Sequence, residues 1–201
     1  MLKAGLTGGL ASGKSFVGEC LVKLGCHLIQ ADQLGHEVLS PAGEAYAAVV
    51  EFFGSAILDA DGKINRKRLA AEVFTNPERL AILNGLVHPP VQKRAQELAD
   101  AYAAADPRAI VVLEAAILIE TGSHQRFDRL ILVVCSLEQQ IERAMARDGS
   151  TREEATARLN RQMPLTQKRN YADYVIDNSG TREDTARQTQ AVYESLRRLQ
   201  S

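Results

Sequence analysis

Gly8-Gly9-Leu10-Ala11-Ser12-Gly13-Lys14-Ser15 decides how the rest of this chain reads. It satisfies the spacing G-x-x-x-x-G-K-[ST], in which each fixed position has a physical task. Glycines admit backbone angles that turn several N–H groups toward one point, and the N-terminus of a following helix adds positive potential there. Lys14 is placed to bridge the β- and γ-phosphates of a nucleoside triphosphate, ATP being the expected one. The Ser15 hydroxyl is placed to ligate Mg2+.

The context on either side agrees. Leu2 to Thr7 reads as a strand, and Lys14 to Leu24 as a helix with Val17, Cys20, Leu21 and Leu24 on one face. Further along, Leu28 to Gln30, Ile110 to Leu113, Leu130 to Val134 and Tyr174 to Ile176 read as strands, and Thr181 to Leu199 as a closing helix. The runs at 110–113 and 130–134 are apolar without alternation, as befits strands buried on both faces of a parallel sheet. Strands alternating with helices predict an α/β, three-layer P-loop fold on a parallel five-stranded sheet.

Two stretches interrupt the alternation. Residues 41–105 are almost wholly helical, broken by a turn at Leu58-Asp59-Ala60-Asp61-Gly62, and are expected to form a helical substrate-binding insertion. That turn faintly resembles a calcium loop, but Lys63 occupies a ligand position and the closing Glu is missing, so a plain turn is expected. Residues 143–169 carry seven basic side chains (Arg143, Arg147, Arg152, Arg158, Arg161, Lys168, Arg169) against three acidic ones (Asp148, Glu153, Glu154), a net of +4. Thr151 and Glu154 have capping-box spacing at its centre. Beside a phosphate site, this segment reads as a small lid. The remaining stretches, about 1–40, 106–142 and 170–201, make up the nucleotide-binding core of one domain.

Composition limits the alternatives. A chain of 201 residues, 45% hydrophobic, supports one packed domain and is too short for two full ones. A net charge of -1 marks no nucleic-acid or membrane binder, and no apolar run reaches the roughly 18 residues needed to span a bilayer. The first residues lead straight into the glycine turn without a signal peptide's apolar stretch. Cys20, Cys26 and Cys135 show no paired spacing and suit buried free thiols in a reducing cytoplasm. The histidines form no metal-ligand cluster, so no structural zinc is expected, and nothing signals an obligate protein partner.

A phosphate loop alone serves GTPases, motor ATPases and small-molecule kinases. The guanine-reading string Asn-Lys-x-Asp does not occur, and Leu113 is followed by the single acid of Glu114-Ala115-Ala116. An arginine-rich lid that excludes water is what a kinase requires, since ATP is otherwise hydrolysed. Asp32 follows the second strand, at the sheet edge where the loop lies, and could accept a proton from an acceptor hydroxyl. Its other reading is an N-cap for the helix at 33–39. Glu114 is the competing acid, able instead to orient Mg2+. The alternatives are a kinase acting on another nucleotide or small metabolite, or an ATP-binding regulatory protein without turnover.

Taken together, these residues resemble the dephospho-CoA kinase family over nearly the whole chain. The resemblance rests on the phosphate loop with Leu6-Thr7, on Ala31-Asp32 followed by His36, and on Gly62-Lys63-Ile64-Asn65-Arg66 with Val73-Phe74 and Leu86-Val87-His88-Pro89. It continues through Leu118-x-Glu120-Thr121-Gly122, Asp128, Gln140-Ile141-x-Arg143 with Arg147-Asp148, Arg158 and Gln162, and ends in Ala172 to Gly180. Three positions depart from the family pattern: Gln30 and Asn65 stand where Asp is usual, and Glu114-Ala115-Ala116 where Asp-x-Pro is frequent. The resemblance implies ATP and dephospho-CoA as substrates, with phosphate delivered to the ribose 3′-hydroxyl. It implies Lys14 and the loop amides of Gly8, Gly9, Leu10, Ala11, Ser12 and Gly13 on the phosphates, Ser15 on Mg2+, and Asp32 orienting and deprotonating the hydroxyl. Arg147 would stabilise charge, with Arg143 beside it at i, i+4 spacing, and Asn178 would lie near the adenine. His88 has two readings, a lining residue of the acceptor pocket or a structural histidine at a helix end before proline.

Overall fold

Apolar runs that do not alternate have to be buried on both faces, and here they become the middle of a sheet. The computed structural model describes residues 1–74 and 76–200. Its strands are β1 (Leu2–Gly8), β2 (His27–Gln30), β3 (Ile110–Glu114), β4 (Arg129–Val134) and β5 (Tyr174–Asp177), in the spatial order β2-β3-β1-β4-β5. β1 runs parallel to both β3 and β4, and β4 parallel to β5, with Leu6 registered opposite Glu114 and Ile131. The helices are α1 (Lys14–Lys23), α2 (Ala31–Val38), α3 (Tyr46–Phe53), α4 (Arg66–Phe74), α5 (Pro77–Ala105), α6 (Leu137–Asp148), α7 (Arg152–Leu159), α8 (Leu165–Lys168) and α9 (Arg182–Arg198). Helices cover both faces of the five-stranded parallel sheet, so the expected three-layer α/β architecture is the observed one.

The chain divides into two units, one of Met1–Ile29 with the chain from Ala101 onward, the other Gln30–Asp100. In the first, Val17 and Leu21 of α1 and Val192 and Leu196 of α9 pack with Ala4, Leu6, Val112, Ile131 and Ile176 in one core. Burying a leucine such as Leu21 completely stabilises the fold by roughly 1.5–3 kcal/mol. Side chains alternate along β1, so Gly5 faces the opposite layer. A Cβ on Gly5 would lie 2.9 Å from Leu130 Cδ1 and 3.0 Å from Leu118 Cδ1, so any side chain there would require these leucine tips to shift. The capping box read at Thr151 and Glu154 is present at the start of α7: Glu154 N–H donates to Thr151 Oγ1 and Thr151 N–H to the Glu154 carboxylate. A second box, Ser136 with Gln139, starts α6.

In the second unit, Val38, Val49, Phe53, Ile57, Leu69 and Val73 form a core of their own. α5 runs through Pro89 and Pro90 instead of ending before them. Leu83, Leu86 and Val87 on one side of the prolines and Val91 on the other pack on the same core, and this burial outweighs the local preference of the pre-proline residue. The turn at 58–62 is closed by Asp59 N–H donating to Lys63 O at 2.8 Å, and Lys63 Nζ pairs with Asp61 at 2.7 Å. Asn65, which departs from the family's Asp, accepts from Arg68 N–H at 3.0 Å and so caps the start of α4 as an Asp would.

The three cysteines are free thiols, Cys26 and Cys135 buried and Cys20 partly so. Burial pushes the Cys26 thiol up to about 12, against a smaller downward pull from Arg197. The folded thiol therefore keeps its proton where the unfolded one, near 8.5, loses it. Its contribution to stability is complete at neutral pH and declines as pH climbs from about 8.5 toward 12. Iodoacetamide at pH 8 is expected to leave Cys26 unmodified in the folded protein and to alkylate all three thiols in urea, as read by peptide mass. Among the described residues no helix is long and apolar enough to cross a membrane.

Candidate triphosphate site

The loop lies between the carboxyl end of β1 and the first turn of α1, where the sequence places it. Gly13 takes the N-cap position of α1 in the left-handed region, φ 97°, ψ 22°. Lys14 turns back over the loop, its Nζ 3.0 Å from Gly9 O and 3.4 Å from Gly8 O. The glycines serve close approach as much as backbone freedom. A Cβ on Gly8 would lie 2.5 Å from Ser12 Oγ, and one on Gly13 1.9 Å from the Asn178 side chain. Ser12 Oγ is buried and has no hydrogen-bond partner among the described residues. A buried hydroxyl without a partner inside the loop suits a site that receives a polyanion.

Three carboxamides hold the loop from outside. Gln140 Nε2 donates to Leu10 O at 2.8 Å, Gln162 Oε1 accepts from Leu10 N–H at 2.8 Å, and Asn178 Nδ2 donates to Ser12 O at 2.8 Å. Asn178 Oδ1 accepts from Thr185 Oγ1, and its backbone oxygen accepts from Arg143 Nη2 at 3.0 Å. The Asn178 side chain, expected beside the adenine, is thus a buried brace between the loop and α9. Gln140 and Gln162 stood out in sequence only through the family resemblance. Nothing in their spacing announces a contact with a loop about 130 and 152 residues away.

Ser15 Oγ donates to Glu114 Oε1 at 3.2 Å, and Glu114, at the end of β3, is buried. A hydroxyl and a carboxylate at that separation make a hard-oxygen donor set that fits Mg2+. Among the described residues no group of three or more His, Cys, Asp or Glu could hold a metal ion.

The basic segment is more internally paired than its charge count suggests. Arg147 and Arg158 both bind Asp148, and they hold its carboxyl well below the usual carboxylate range, the Arg147 hydrogen bond contributing most. Arg152 grips Glu138 with two nitrogens. Lys168, counted from the sequence among the lid cations, is fully buried. It pairs with Glu120 at 2.8 Å and donates to Ala116 O, which also accepts from Thr7 Oγ1. It ties the end of the lid segment to the stretch that follows β3.

In the other unit, Asp32 is the second residue of α2 and exposed. Gln30 occupies the N-cap position, so the capping role considered for Asp32 is not the one it has. His36, one turn on, lies 2.5 Å from Arg66 Nη1; burial and then the Arg66 charge hold the imidazole below its ordinary pKa. His88 is half-buried inside α5, where burial lowers its pKa; it is not at a helix end.

A phosphate loop on a parallel sheet of this order defines the class: a P-loop kinase fold. Comparison with known proteins narrows it. The family model for dephospho-CoA kinase matches residues 2–184. The dephospho-CoA kinase of Thermobifida fusca is 40% identical over 198 residues, 98% of either chain. A crystal structure from Thermus thermophilus, TT1252, superposes with a TM-score of 0.81 at 34% identity, covering 96% of this chain and 97% of that one. Dephospho-CoA kinase from Campylobacter jejuni superposes at 0.62 with 26% identity, covering 96% of each chain. The chain belongs to the dephospho-CoA kinase family.

Proposed function

We propose that this chain transfers the γ-phosphoryl group of ATP to the ribose 3′-hydroxyl of dephospho-CoA, giving CoA and ADP, as a cytoplasmic enzyme. The observation that carries the reading is a preformed phosphate loop, with Ser15 beside a buried carboxylate, in a chain matched by the family model from residue 2 to 184. The free thiols suit a reducing compartment.

Lys14 and the amides of Gly8 to Ser15 bind the triphosphate and direct its γ-phosphorus outward. Ser15, with Glu114 behind it, would hold Mg2+, which would supply positive charge to the phosphates. Asp32 orients the acceptor hydroxyl and takes its proton as the new P–O bond forms. Its position two residues beyond the last residue of β2 supports this, because ligands of open parallel sheets meet the residues that follow the strands. Arg143 and Arg147, one turn apart on α6, stabilise the transferred charge, and release of Arg147 from Asp148 would free it for that task. Asn178 supports the loop, and His88 lines the acceptor side.

The test is an acceptor panel with ATP and Mg2+: dephospho-CoA, adenosine, shikimate and gluconate, with product read by mass. CoA is expected from dephospho-CoA and little from the others; no CoA would sink the assignment.

A further inference from the structure

The tip of the phosphate loop is gripped by two amide side chains of opposite hydrogen-bonding sense. We propose that Gln140 and Gln162 are positioning residues for the donor triphosphate, acting through the peptide groups of Leu10. The proposal rests on the reading of Gly8 to Ser15 as an ATP site.

The sense of each amide is fixed by its partner, because a carbonyl only accepts and an N–H only donates. Gln140 on α6 must present its –NH2 to Leu10 O, and Gln162, between α7 and α8, must present its oxygen to Leu10 N–H. The Leu10 side chain is buried with Ile141 and Ala144 of α6 and Ala155 of α7. Side chain, donor and acceptor of this one residue are therefore all held by the α6–α7 region.

The consequence falls on Ala11. The chain has no cis peptide, so the Leu10 carbonyl and the Ala11 N–H point in opposite directions. Drawing the carbonyl toward Gln140 turns the Ala11 N–H the other way. Ala11 is also the one non-glycine residue at positive φ among those described, at 51°. An alanine keeps that conformation only when its surroundings impose it.

Gly9 supports the same conclusion. The motif leaves this position free, and Gly9 is not at positive φ. A Cβ there would lie 2.1 Å from Gln140 Nε2. The second glycine of the loop is there to let the Gln140 amide reach Leu10.

The opposite senses give an asymmetric test in the full chain. Gln140→Glu removes the donor, whereas Gln162→Glu keeps an acceptor. Gln140→Glu and Gln162→Leu are expected to raise the ATP KM and the ATP dissociation constant by about tenfold, with the dephospho-CoA KM unchanged. Gln162→Glu should stay within about twofold of wild type, since its accepting oxygen remains. If the buried charge of Gln140→Glu prevents folding, Gln140→Met removes the donor at similar length and without charge. An unchanged ATP KM in Gln140→Met and Gln162→Leu would overturn the proposal. So would an equal rise in both substrates' KM accompanied by a fall in melting temperature, which is what general destabilisation produces. Wild-type protein that binds no ATP at equilibrium would instead overturn the donor-site reading beneath it.

Discussion

Lys14→Ala is expected to remove measurable ATP binding and to lower kcat/KM for ATP by about a thousandfold or more. Removing a single neutral donor from a preorganised anion site already costs about 10²–10³, and Lys14 brings a full charge. The ammonium rests 3.0 Å from Gly9 O, so the side chain is already folded back over the loop and little ordering remains to be done when the triphosphate arrives. The substitution also removes the bonds to Gly8 O and Gly9 O, so the melting temperature has to be followed alongside calorimetric ATP binding and initial rates. Lys14→Arg is expected to recover little, because a planar fork cannot occupy the place of a compact ammonium held between two carbonyls. ATP affinity unchanged in folded Lys14→Ala would remove the loop from the donor site.

What could be read from residues alone, and what could not, separates along the range of the interactions. Elements governed by local pattern were legible. The strands at 110–114 and 129–134 follow from apolar runs that only a doubly covered sheet can bury, and the start of α7 follows from Thr151 and Glu154. The loop was legible because its chemistry is compressed into eight consecutive residues. Side chains whose partners are remote in sequence were not. Lys168 looked like one more lid cation, and only the fold brings it to Glu120 and Ala116, 48 and 52 residues away, where it is buried and neutralised. Asn178 is similar: the family resemblance implies a place near the adenine, and only the fold shows its side chain bonded to Ser12 and Thr185. The continuation of α5 through Pro89 and Pro90 was hidden for the opposite reason, since the local signal was strong and tertiary burial overrode it.

Glu114 shows the same divide at the centre of the chemistry. By sequence it competes with Asp32 for the role of base, since both follow strands of one parallel sheet. The structure gives Glu114 a partner: it is buried and accepts from Ser15, the hydroxyl proposed to hold Mg2+. A carboxylate bonded to that hydroxyl is placed to hold cation charge beside Ser15. The exposed Asp32 has no such commitment in its helix, where Gln30 is the N-cap residue.

Asp32→Asn is therefore expected to leave ATP binding nearly intact and to lower kcat by about 10²–10⁴, the range lost with a general base. Asparagine keeps the size of the side chain and a hydrogen-bonding oxygen, so the acceptor hydroxyl is still contacted and the dephospho-CoA KM should move little. What is lost is the capacity to take the proton. Helix α2 also loses a first-turn carboxylate, worth about 0.3–1 kcal/mol at an exposed position, too little to unfold the protein. Glu114→Gln should behave differently: its primary effect should be a higher Mg2+ concentration for half-maximal rate, recovered in part by excess metal. The two substitutions thus separate proton transfer from metal charge by their response to Mg2+. Should Asp32→Asn turn over at the wild-type rate while Glu114→Gln is dead at saturating Mg2+, the roles are reversed and Glu114 is the base.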